Sequence, residues 1–73
     1  MDKLIAEFQK NALETVRVSL REYKGHRLID FRVYYRDDND ELRPTRKGVS
    51  LSVGLFDELK AATEKLEEAL ETL

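Results

Sequence analysis

Tyr23, Tyr34 and Tyr35 stand among Arg17, Arg21, Lys24, Arg32, Arg43, Arg46 and Lys47, all within the middle of a 73-residue chain. Cations of this kind track phosphates, while phenol rings stack on bases of any sequence, so the combination suits a single-stranded nucleic acid. The same composition also describes a solvated sheet whose tyrosines lie half-buried at a subunit seam, and composition alone leaves both readings open. The densest part is Arg43–Ser52, RPTRKGVSLS, where three cations in five residues lead through Gly48 into an alternating strand.

Other chemistry finds little to work with. No Ser/His/Asp constellation, Gly-rich phosphate loop or metal-ligand spacing is present, so neither an enzyme nor a bound cofactor or metal is expected. His26 falls in a turn beside Gly25, and Asp30 is better placed to pair with a neighbouring Arg across a sheet than to act as a base. Asp37-Asp38-Asn39-Asp40 lacks the twelve-residue calcium pattern with its central Gly and terminal Glu. With no cysteine, no disulfide can staple so short a chain, and oligomerisation is the remaining way to complete its core.

The formal charge of −2 conceals a polarised molecule. Residues 14–48 carry nine Lys/Arg against seven Asp/Glu, and residues 53–73 carry two Lys against six acids. Such separation steers a charged ligand more than the sum does. No apolar run approaches the roughly 20 residues of a membrane span, and nothing reads as a signal peptide.

The elements that position these residues form one domain, 1–73. Leu4, Ile5, Phe8 and Ala12 recur near every 3.6 residues, predicting an N-terminal helix over 2–13. Alternation over 15–23 turns Val16, Val18 and Leu20 inward and Arg17, Ser19, Arg21 and Tyr23 outward. Lys24-Gly25-His26 turns the chain into a second strand over 27–36, with Ile29, Phe31 and Val33 inside and Asp30, Arg32 and Tyr34 outside. The acidic loop after it has no apolar anchor and is expected to be mobile. Leu42–Arg46, broken by Pro44, is expected as a short third strand, and Val49, Leu51 and Val53 as a fourth. Ser52 would cap a helix over 54–73, whose Leu59, Ala62, Leu66, Ala69, Leu70 and Leu73 form a stripe too long for the sheet to cover. A second copy of the same helix is the economical partner. Sheet 15–53 and helix 54–73 together make an α+β fold.

YKGHRLIDFRVYY and then ELRPTRKGVSLS, followed by an acidic amphipathic helix, resemble the positive cofactor four family of transcriptional coactivators and their prokaryotic relatives. The likeness runs from about Arg17 to Leu59 and loosely on to Leu73. It implies a four-stranded curved antiparallel sheet followed by one helix, paired as a homodimer through helices and sheet edges. It also implies single-stranded DNA in channels across the two sheets, and the sequence leaves open whether RNA competes for them. By position, the DNA-contacting cations would be Arg21, Lys24, Arg32, Arg43 and Lys47, with Arg46 nearby, and the stacking aromatics Tyr23 and Tyr35. Tyr35 stands where Trp is frequent, His26 where Lys is common, and Glu14 and Val16 where eukaryotic members are basic, which implies weaker affinity. A helix over 2–13 in place of a Ser-rich tail points to a prokaryotic or phage member.

Simple alternation sets Tyr35 on the inner face with Val33, so it and Arg32 reach one ligand only if a bulge or the strand end turns Tyr35 outward. The function expected is sequence-tolerant single-stranded DNA binding by a homodimer in transcription, replication or repair, alongside proteins of those processes. The location expected is cytoplasmic and nucleoid-associated in a prokaryote, or nuclear in a eukaryote. The alternative is a protein-interaction module acting through its helices.

Overall fold

The computed structural model describes residues 2–73. Its element order is β1 (Lys3–Gln9), β2 (Glu14–Tyr23), β3 (His26–Arg36) and β4 (Leu42–Ser52), then a 3-10 turn (Val53–Leu55) and α1 (Phe56–Glu71). The four strands form one antiparallel sheet in the order β1-β2-β3-β4. No helix is long and apolar enough to cross a membrane among the described residues.

The N-terminal segment is a strand, not the helix expected over 2–13. Its register shifts between Leu4, opposite Ser19, and Ala6, opposite Val18. The bulge at Ile5 resets the two-residue alternation, so Leu4, Ile5 and Phe8 mimic helical spacing. A three-turn helix is marginal alone, whereas β1 covers the edge that β2 would otherwise leave unpaired. With a strand at Lys3–Gln9, the N-terminal segment carries no helix that would mark a prokaryotic or phage member.

The second difference lies in residues 42–52, which form one strand rather than two. Arg32 pairs with Gly48 and Tyr34 with Pro44, so three residues of β4 (45–47) lie opposite Val33 alone. Pro44 and Gly48 therefore bracket a bulge inside a continuous strand. Thr45 closes it: its hydroxyl donates to the Val33 carbonyl at 2.6 Å and accepts from the Lys47 amide at 3.1 Å. Gly48 is needed there for want of room, since a Cβ would overlap the Phe31 carbonyl oxygen and approach the Arg32 Cζ to 3.0 Å. Gly48→Ala is expected to cost about 1–3 kcal/mol of stability, the range for overpacking a close contact, measurable by urea denaturation.

The β2–β3 hairpin turns on Lys24 and Gly25, with φ of 50° and 80°. Positive φ at both central residues is the turn that matches strand twist. The β3–β4 loop is anchored by polar contacts rather than apolar ones. The Asp37 carboxylate accepts from the amides of Asn39 (2.9 Å) and Glu41 (3.0 Å), and Arg36 donates to the Asp40 carbonyl at 2.8 Å.

Unbroken pairing of β2 with β3 sorts the sheet into two faces. Val16, Val18, Leu20, Ile29, Phe31, Val33, Val49 and Leu51 share one face, and α1 lies over its end through Phe56 and Leu59, beside a recess also lined by Ile5. Ser52 caps the 3-10 turn by accepting from the Gly54 amide, and α1 itself has no side-chain cap. Of the large apolar side chains described, Ile29 alone is buried. The molecule measures 41 × 37 × 18 Å, a slab one sheet and one helix thick with little interior of its own.

Candidate nucleic-acid interface

The opposite face is polar. Arg17, Ser19, Arg21 and Tyr23 of β2 share it with Leu28, Asp30, Arg32 and Tyr34 of β3 and with Ser50 of β4. An open groove of about 510 Å³ runs along it, bounded by Arg21, Tyr23, Asp30, Arg32, Thr45 and Ser50.

Asp30 organises this groove. Its side chain is 2% exposed, and it receives Arg32 Nη2 at 2.7 Å and the Ser50 hydroxyl at 2.6 Å on Oδ1. Arg21 Nε lies 3.5 Å from Oδ2. Burial by itself would raise the Asp30 carboxyl, but the hydrogen bonds from Arg32 and Ser50, with the charges of Arg32 and Arg21, outweigh it and hold the group below its ordinary range. The Arg32 guanidinium is raised by the same hydrogen bond, against its own desolvation. The sequence expectation that Asp30 pairs with an arginine is met by two of them, one on its own strand and one on β2.

Further along the same face, Arg21 Nη2 approaches the Tyr34 hydroxyl at 3.2 Å, and the Arg17 guanidinium lies 4.8 Å above the Tyr34 ring. Arg17 is in turn held by Glu7 of β1 at 3.1 Å. Tyr34 and Arg17 are thus built into the polar belt, on the outward face where alternation sets both, although neither is among the eight residues singled out as contacts.

The eight residues singled out from sequence divide between the faces. Arg21, Tyr23 and Arg32 line the groove. Lys24 stands at its rim, its Nζ 5.3 Å from the centre of the Tyr23 ring, and that tyrosine is 63% exposed. Tyr35 pairs with Glu14 and Arg43 on the other face, because β3 itself carries no bulge. Nine positions separate it from His26, the partner of Tyr23, which at the usual strand rise is about 30 Å. Arg43 is held by Asp37 at 2.7 Å and Glu41 at 3.1 Å. The Arg43 hydrogen bond, with those of the Glu41 and Asn39 amides, lowers the Asp37 carboxyl. Lys47 reaches toward Glu14 at 3.7 Å and remains largely exposed. Glu14 is lowered chiefly by hydrogen bonds from Asn11 and Lys10. Lys24 and Arg46 form no ion pair among the described residues.

The stripe on α1 lies largely uncovered in a single chain. Leu59 is half-buried against the sheet, whereas Ala62, Leu66, Ala69, Leu70 and Leu73 are exposed. Among the described residues no group of His, Cys, Asp and Glu could hold a metal ion.

The fold is thus a four-stranded antiparallel sheet with a C-terminal helix, and the face away from that helix carries a polar groove where Arg21 and Arg32 stand beside Asp2, Glu22 and Asp30. Residues 10–62 match the family described as Transcriptional Coactivator p15 (PC4), and the chain belongs to that family. It is 41% identical over 58 residues to the RNA polymerase II transcriptional coactivator SUB1 of Saccharomyces cerevisiae, covering 78% of this chain and 20% of that protein. It is 38% identical over 72 residues to the RNA polymerase II transcriptional coactivator KIWI of Arabidopsis thaliana, covering 99% of this chain and 63% of that protein. The chain thus spans from a fifth to just under two thirds of these two relatives. Among solved structures, a PC4 homologue from Burkholderia pseudomallei K96243 superposes with a TM-score of 0.81 at 32% identity, covering 89% of this chain and 88% of that one. A bacteriophage T5 homologue of the eukaryotic coactivator PC4, implicated in recombination-dependent DNA replication, superposes with a TM-score of 0.78 at 28% identity, covering 99% and 83%.

Proposed function

We propose that this chain binds single-stranded DNA with little sequence preference, as a homodimer, in transcription, replication or repair. The observation that carries the reading is the polar sheet face, where Arg21, Arg32 and the exposed ring of Tyr23 border one open groove with Lys24 at its rim. Family membership supports it, as does the phage relative's link to DNA replication. Phosphates would follow the accessible cations, Arg21 and Lys24 at this groove, and bases would stack on Tyr23. Tyr35, Arg43 and Lys47 form a second group at the far end of the opposite face, so each chain offers two patches rather than one continuous wall. A homodimer is favoured because the apolar face and the α1 stripe stay uncovered in one chain.

Titration of a fluorescent oligo-dT at several salt concentrations tests this. Affinity should fall steeply with salt, with a log–log slope near −0.7 for each neutralised phosphate. Lys24→Ala with Arg46→Ala removes two cations that hold no ion pair among the described residues, so folding should survive while the slope shrinks by about 1.4. Equal affinity for duplex DNA would count against the reading. No binding at low salt would overturn it in favour of a protein-interaction module that uses the uncovered helix.

A further inference from the structure

Resting on that nucleic-acid reading, we propose that Arg32 is a positioning residue, which acts on the ligand by holding the β4 bulge that presents Arg46 and Lys47. A guanidinium has five N–H donors, and those of Arg32 are nearly all committed. Nε donates to Asp30 Oδ2 at 3.4 Å, Nη2 to Asp30 Oδ1 at 2.7 Å and to the Ser50 hydroxyl at 3.4 Å, and Nη1 to the Arg46 carbonyl at 3.1 Å. A phosphate could take Arg32 in a forked contact only by stripping it from Asp30, leaving a carboxylate 2% exposed without its main counter-charge.

The backbone around the bulge is shaped for this reach. Arg32 stands opposite Gly48, and its Cζ lies 3.0 Å from where a Cβ of residue 48 would be. The missing side chain lets the guanidinium pass over β4 to the carbonyl of Arg46, on the far side of Lys47. Thr45 fixes the other end of the bulge through Val33 and the Lys47 amide. Arg46 and Lys47 are exposed and flank this anchored carbonyl, so their direction depends on it. The buried Asp30 therefore connects to surface cations through one side chain that need not touch DNA.

Arg32→Lys separates the two roles, because lysine keeps the charge beside Asp30 but cannot also hold the Arg46 carbonyl. Positioning predicts a loss of oligo-dT affinity of about tenfold or more, the scale of a charge-assisted contact. In an Arg46→Ala/Lys47→Ala background the same change should add less than about twofold, within the error of additivity. Amide hydrogen exchange at Lys47 and Gly48 should speed up in Arg32→Lys without DNA. Retained affinity in Arg32→Lys, a loss that persists fully in the double-alanine background, or unchanged exchange at both amides would each overturn the proposal. If Arg32→Lys does not fold, Asp30→Asn/Arg32→Gln, which leaves no unpaired charge between the two, enters the same measurements. If the unaltered chain fails to bind oligo-dT, the nucleic-acid reading falls, and hydrogen exchange alone still decides whether Arg32 holds the bulge.

Discussion

Replacing Leu66 by Glu is expected to dissociate the proposed homodimer and, at micromolar concentration, to remove most of its folded signal. Leu66 is 58% exposed and Leu70 56% exposed in a single chain, beyond the part of α1 that reaches the sheet. Phe8, Val49 and Phe56 are likewise uncovered on the side of the sheet that α1 only partly shields. Among the described residues Ile29 is the lone buried large apolar one, and in the proposed homodimer a second copy would close over this surface and supply the burial that one chain lacks. A carboxylate at position 66 would have to be desolvated in that seam without a partner, at a cost of several kcal/mol. Sedimentation and circular dichroism across a dilution series would register the change together. A folded, monomeric Leu66→Glu protein would sink the dimer argument.

Asp30→Ala is expected to cost about 1.5–3 kcal/mol, since it leaves the partly exposed Arg32 and Arg21 without the counter-charge they share. That is a large share of the total stability of a small domain. The acid limb of stability carries the same information. The Asp30 carboxyl is lowered in the folded protein from an ordinary value of 3.8, so its contribution is fully present above that pH and is lost as pH falls through the folded value. Asp37 and Glu14 are lowered too and add to the same limb. Denaturant midpoints at pH 7 and pH 3 should therefore converge between Asp30→Ala and the unaltered chain as the pH drops. An unchanged difference between them would mean that Asp30 is not the stabilising carboxylate.

The central hairpin was legible because its alternation is unbroken. Val16, Val18 and Leu20 against Arg17, Ser19 and Arg21 are the two faces of β2, and Ile29, Phe31 and Val33 against Asp30, Arg32 and Tyr34 those of β3. Both departures occur at bulges. The extra residue near Ile5 gave β1 a helical spacing, and the excess at 45–47 split β4 in two. A bulge changes which residues share a face without changing residue types, so period counting reads it as a different element. The placement of the candidate cations was partly legible. Alternation already separated Tyr35 from Arg32, whereas the capture of Arg43 by Asp37 and Glu41 depends on how a loop folds back. The engagement of nearly every Arg32 donor was hidden for another reason, because the Arg46 carbonyl it holds is backbone and carries no residue signature.

The same two bulges bear on whether copies of the sheet can add edge to edge. β1 and β4 are the outer strands of an open sheet, and an outer strand with a long regular run of free amides and carbonyls is a template for unlimited strand addition. Pro44 lacks an amide, residues 45–47 break the spacing of β4, and the irregularity at Ile5 does the same for β1 between Lys3 and Glu7. Neither margin offers a straight register over its full length. Fibre growth is thereby obstructed at both sides of the slab, and association is left to the faces.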